Sequence, residues 1–107
     1  MLVDSSFSQL YGKPPAIGGY YPDVYLAPSR ENPLIIGEAK TAKDLEKAHS
    51  MDQIASFLKY CSFHTDSLLI LGVPWNMTRC ARSLLCYLQL NNNAEKVATL
   101  VLDKLEG

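Results

Sequence analysis

The chain has 107 residues, of which 48% are hydrophobic and 20% charged, a balance typical of one globular domain. Residues 68–73 form the longest apolar run, which is too short to span a membrane. Residues 1–9 lack the pattern of a signal peptide. We therefore expect a cytoplasmic protein with no membrane partner. The formal net charge of −1 lacks the basic surplus that is usual in nucleic-acid binders.

The three cysteines, Cys61, Cys80 and Cys86, form no CxxC pair and are odd in number. A structural zinc site would need His49 or His64 at unrelated spacings, whereas such sites favour closely spaced ligand pairs. We therefore expect reduced and mostly buried thiols.

Two weak elements are predicted near the start of the chain. Residues 4–11 predict a short helix, which residues 12–15 break. Residues 17–21 are a weak strand candidate interrupted by Gly18 and Gly19. Neither a helix nor a Gly-Lys-Ser/Thr sequence follows these glycines, so we expect no nucleotide cofactor.

Two strands are predicted over residues 23–27 and 34–40, joined by a turn-rich connector. Because side chains alternate along a strand, Glu38 and Lys40 project from one face, and Asp23 can lie beside them if the strands pair. Two carboxylates can hold Mg²⁺ or Mn²⁺, and a lysine can orient a water, a combination suited to phosphodiester cleavage. The alternative is a solvated ion pair at a strand edge.

The second half of the chain predicts alternating helices and strands. A helix is predicted from Thr41 or Asp44 to about Cys61, a buried strand over residues 67–73, and a helix from Asn76 or Thr78 onward that ends before residues 91–93. Residues 94–105 fit either a helix or a strand. The order predicts a mixed α/β sheet flanked by helices, with a right-handed crossover into the buried strand.

The sequence resembles the PD-(D/E)xK, or restriction-endonuclease-like, nuclease superfamily. The matching residues are Pro22-Asp23, a spacer of 14 residues, Glu38-Ala39-Lys40, and residues 53–57, which are similar to the Gln-x-x-x-Tyr motif of RecB-like exonucleases with Phe57 in place of the tyrosine. Virus-type replication–repair nucleases are similar in the same region. The resemblance implies a restriction-endonuclease-like core with a shortened first helix, residues 1–107 forming a single nuclease-like domain, either as a fragment or as part of a larger protein.

The resemblance also implies roles for individual residues. Asp23 and Glu38 would bind Mg²⁺ or Mn²⁺, with the carbonyl of Ala39 as a further ligand. Lys40 would position the attacking water or stabilise charge on the phosphate, and Gln53 would orient the site or contact DNA. The expected function is a metal-dependent deoxyribonuclease. The alternatives are a non-catalytic DNA-binding or assembly module of the same fold, and an α/β protein in which the motif is accidental.

Further residues are candidates for contact with DNA as cations, as a histidine beside Gln53, or as an aromatic ring able to stack on a base: Lys43, His49, Trp75, Arg79 and Arg82. For each of them, an ordinary structural or surface role is the alternative. A domain of this size covers a short stretch of duplex, so we expect a homodimer or a larger complex on DNA.

Overall fold

A computed structural model describes residues 15–104. The strands are β1 (Val24–Leu26), β2 (Leu34–Ala39), β3 (Ser67–Pro74) and β4 (Ala98–Lys104), and the helices are α1 (Ala42–Leu45), α2 (Ala48–Ser62) and α3 (Thr78–Asn91). A 3₁₀ turn, Trp75–Met77, joins β3 to α3. The helix predicted over residues 4–11, and with it the shortened first helix, lies outside the described residues.

The four strands form one mixed sheet in the order β1-β2-β3-β4. β1 pairs antiparallel with β2, while β2, β3 and β4 run parallel. The connector between β1 and β2 turns at Ser29, whose N–H donates to the carbonyl of Asn32 and whose Oγ accepts from the N–H groups of Glu31 and Asn32. The expected mixed α/β class is confirmed.

One face of the sheet packs on the helices. Leu34 and Ile36 of β2 are buried on either side of the less buried Ile35, and the register places Ile36 beside Leu69 of β3 on the same face. Ile54 and Phe57 of α2 pack on this face and belong to the same core cluster. Burial of these side chains supplies most of the favourable free energy of folding.

The prediction of one long helix from Thr41 or Asp44 to about Cys61 is wrong in one respect, because this segment forms two helices. Thr41 Oγ1 accepts from the N–H of Asp44 and begins α1, but the chain leaves the helix after Leu45, and Lys47 is extended (φ −85°, ψ 140°). In α2 itself, Phe57 is buried and Ala48 is exposed.

Three other predictions are decided by the structure. Residues 17–21 form no strand; Ile17 and Tyr20 make an isolated antiparallel bridge around Gly18 and Gly19. Residues 94–105, which fit either a helix or a strand, contain β4. Within residues 15–104, no helix is long and apolar enough to cross a membrane.

The expectation of mostly buried thiols is wrong for two of the three cysteines. All three are free, but only Cys61 is buried, and Cys80 and Cys86 are exposed on α3. They lie on the solvent side of the helix because Ala81, Leu85 and Leu88 occupy the side facing the sheet. Burial raises the pKa of the Cys61 thiol to about 11.

Candidate functional site

The candidate site forms where the β1–β2 hairpin opens at the end of β2. Asp23 lies just before β1, and the pairing of Val24 with Gly37 places Asp23 across from Glu38. The backbone N–H of Asp23 donates to Glu38 Oε1 at 3.0 Å, and Asp23 Oδ2 accepts from the N–H of Ala39 at 2.9 Å. Each of the two carboxylates is therefore held by a backbone N–H of the opposite chain segment.

Lys40 joins the carboxylates to helix α2. Its Nζ lies 3.3 Å from Glu38 Oε2 and donates a hydrogen bond to Gln53 Oε1. Its backbone N–H donates to the carbonyl of Gly72 at 2.9 Å, which holds this part of the chain against β3. We call Asp23, Glu38, Lys40 and Gln53 the carboxylate–lysine cluster.

Burial distinguishes this cluster from an ordinary surface ion pair. Glu38 is 6% exposed and Lys40 9% exposed, so the predicted alternative of a solvated edge pair is wrong. Gln53 is also buried, so it is not an ordinary exposed residue of the helix. Asp23 is exposed and marks the side from which solvent or a ligand reaches the cluster.

The environment of Glu38 disfavours its ionised form. Burial raises the pKa of the Glu38 carboxyl, and the neighbouring Asp23 carboxylate raises it further. The hydrogen bond from the Asp23 N–H and the charge of Lys40 act in the opposite direction but do not cancel the rise. A further cation near Glu38 would relieve the repulsion between the two carboxylates.

The donor atoms suit a hard divalent cation that keeps part of its water shell. One oxygen of the Asp23 carboxylate accepts from the Ala39 N–H. Because the Asp23 side chain is exposed, its other oxygen is accessible to a cation. Each Glu38 oxygen has one protein contact and retains a lone pair for another. Within residues 15–104, no group of three or more His, Cys, Asp or Glu side chains could hold a metal. Two carboxylates match the way Mg²⁺ is commonly held, with waters and substrate phosphates completing its shell.

The five candidate DNA contacts lie outside this cluster. His49 lies in the first turn of α2 and packs its ring edge-on against Tyr20, with 5.2 Å between the ring centroids. Trp75 is 66% exposed directly after β3, so a role at the edge of the core is wrong for it, whereas an ordinary surface role remains the alternative to stacking on a base. The cations are all exposed on helices: Lys43 on α1, and Arg79 and Arg82 on α3. None of the hydrogen bonds or ion pairs found within residues 15–104 joins these five side chains to the cluster.

One contact beside the cluster was not predicted. The Tyr20 hydroxyl donates to Asp52 Oδ2 at 2.5 Å, and this bond raises the pKa of Tyr20. Tyr20, Asp52 and His49 thus meet next to Gln53 on the outer side of α2. The spacing of His49 and Asp52, three residues apart on a helix, is the signal that indicates a shared side, but nothing in it identifies Tyr20 as their partner.

Comparisons with protein-family models, curated proteins and solved structures found no match to this chain.

Proposed function

We propose that the chain is a nuclease that uses Mg²⁺ or Mn²⁺ to hydrolyse phosphodiester bonds, with DNA as its substrate. The observation that carries this proposal is the convergence of Asp23, Glu38, Lys40 and Gln53 at the end of β2. The proposal includes membership of the restriction-endonuclease-like superfamily and a cytoplasmic location.

The burial of the cluster favours a functional site over an accidental occurrence of the motif. A buried carboxylate, a second carboxylate beside it and a buried ammonium carry a desolvation cost that an apolar set of the same volume would avoid. The exposed Asp23 makes one side of this charged set accessible. Perturbed acidic groups at an accessible position are typical of sites that bind a cation or carry out acid–base chemistry.

The cluster divides the chemistry between its members. Asp23 and Glu38 would hold the metal, together with the carbonyl of Ala39. When bound, the metal would supply a Lewis acid for the phosphate oxygens and a more acidic water. Gln53 fixes the Lys40 ammonium beside Glu38, where its charge would stabilise negative charge developing on the phosphate or orient the attacking water.

Asp23→Asn tests the proposal with little disturbance of the fold. The exposed side chain keeps an oxygen that can accept from the Ala39 N–H but loses its charge. We expect Mn²⁺ binding, measured by calorimetry, to be lost, and cleavage of DNA with Mg²⁺ or Mn²⁺ to fall by at least about 100-fold, the scale for losing one group that stabilises transition-state charge.

The matched control is Asp66→Asn, which removes an exposed carboxylate just before β3, at the opposite end of the sheet. Its binding and cleavage should equal those of the wild type. Cleavage by Asp23→Asn at the wild-type rate would overturn the assignment of the site.

A non-catalytic DNA-binding or assembly module of the same fold is the second candidate. It is favoured by the contact between Lys40 and Glu38, since the ammonium already balances the buried carboxylate without a metal. The calorimetric titration separates the two candidates. Wild-type protein that binds DNA but does not bind Mn²⁺ at millimolar concentration would support the module.

A further inference from the structure

Strand β4 lies at one edge of the sheet that residues 15–104 form. Among the described strands its neighbour is β3, and seven consecutive residues, Ala98–Lys104, run along that edge in unbroken register. An edge strand presents N–H and C=O groups that can pair with another strand, and proteins often block such edges with proline, bulges or charges. Residues 98–102 contain no proline and no charge, and the pairing with β3 contains no bulge.

A groove runs beside this edge on the helix side of the sheet. It has a volume of about 260 Å³ and is lined by Arg82, Leu85 and Cys86 of α3 and by Thr99, Leu100 and Val101 of β4. A strand added to β4 would place every second side chain into this groove, because side chains alternate between the two faces. The edge therefore offers both backbone pairing and space for side chains.

We propose that β4 pairs antiparallel with β4 of a second copy of this chain, forming a two-fold symmetric dimer with one continuous eight-stranded sheet. Centring the two-fold axis on Val101 pairs all seven residues, with Leu100 opposite Leu102 of the second copy and Thr99 opposite Asp103. This inference does not depend on the nuclease activity.

The side chains of β4 fit this register on both faces. Leu100 and Leu102 are 44% and 40% exposed on the face away from the helices, and the pairing would bring them together. On the helix face, Val101 of the second copy would enter the groove over Leu85 and Cys86. Asp103 of the second copy would lie opposite Thr99 on the same face, and Arg82 lines the same groove, so the groove and the added strand carry charges of opposite sign.

Charged pairs at the two exposed leucines test the register directly. In Leu100→Lys/Leu102→Lys, each lysine would lie opposite a lysine of the second copy, which should separate the dimer. In Leu100→Lys/Leu102→Glu, each lysine would lie opposite a glutamate, and the dimer should persist. Leu90→Lys, at an exposed leucine near the end of α3, is the control and should remain dimeric.

Sedimentation velocity from about 1 to about 100 µM, a range that covers micromolar association, would measure the mass against a monomer of 11.9 kDa. Circular dichroism would verify folding of each variant. The proposal is supported by a dimeric wild type, a monomeric Lys/Lys variant and a dimeric Lys/Glu variant. It is overturned by a wild type that stays monomeric, by equal behaviour of the two double variants, or by loss of the dimer in Leu90→Lys.

Discussion

Glu38 depends on its neighbours more than any other residue of the site. Its carboxylate is buried, accepts from the Asp23 N–H and contacts Lys40, whose ammonium is held in turn by Gln53. In such a set, removing one charged partner leaves the other uncompensated, which typically costs about 3–5 kcal/mol. The energetic role of each member must therefore be measured by changing its partner as well.

Gln53→Met isolates the bond that holds Lys40. Methionine is similar to glutamine in length and helix propensity but supplies no carbonyl acceptor. Because Lys40 is buried, we expect the change to lower the free energy of unfolding by about 1–3 kcal/mol, the scale for an unsatisfied buried polar group. Urea denaturation at neutral pH would measure it.

The control for Gln53→Met is a double-mutant cycle with Lys40→Met. Once the ammonium is gone, Gln53 has no charged donor to satisfy, so its replacement should cost less in that background. Equal costs in both backgrounds would mean that Gln53 stabilises the fold without acting through Lys40.

The residues of the cluster were predictable from sequence to different degrees. Glu38 and Lys40 share a face because they are two positions apart on a strand, and strand alternation alone predicts this. Placing Asp23 beside them needs the hairpin register, which the sequence favours through its turn residues. The superfamily resemblance included Gln53 in the site, but its contact with Lys40 was not predicted, because the rotation of α2 depends on packing that spacing does not reveal.

Among the elements, the break between α1 and α2 shows where periodicity misleads. Leu45 continues the apolar spacing of the following helix, so the pattern predicts one uninterrupted helix. Residues 46 and 47, a glutamate and a lysine, are not helix breakers by composition, so the extended conformation of Lys47 that separates the two helices could not be predicted from sequence. β2, β3 and α3 were predictable because their apolar patterns match the faces they bury.

The turn at Gly18 and Gly19 packs against the outer side of α2, the helix that carries Gln53. It carries Tyr20 to Asp52 and His49 of α2, next to Gln53. Both glycines have positive φ, +60° and +86°. A Cβ at position 18 would lie 2.6 Å from Ser56 Oγ, whereas one at position 19 would meet nothing within 4 Å.

Gly18→Ala and Gly19→Ala form a matched pair for this turn. In each variant the positive φ of the new alanine should lower the free energy of unfolding by about 1–2 kcal/mol. In Gly18→Ala, overpacking against α2 should lower it by about 1–3 kcal/mol more. Urea denaturation would compare the two variants. Ser56→Gly added to Gly18→Ala should remove much of the difference, whereas equal destabilisation by the two alanines would show that the turn does not pack closely on the helix.

At the scale of the whole molecule, the proposed DNA substrate must approach a chain of net charge −1. Binding then depends on where the cations lie. Arg79 lies in the first turn of α3, beyond the end of β3 and at the same end of the parallel strands as Glu38 and Lys40. Arg30 lies in the β1–β2 connector, at the opposite end. The two arginines therefore separate a local interaction from a general charge effect.

Arg79→Glu should weaken binding of a short DNA duplex and lower the slope of log K against log salt by about one, because one phosphate would no longer be neutralised. Arg30→Glu changes the net charge by the same amount, from −1 to −3, and should leave both quantities close to the wild type. Fluorescence anisotropy at several salt concentrations would measure them. Equal weakening by both variants would show that DNA responds to total charge and does not approach the end of the sheet that carries the carboxylate–lysine cluster.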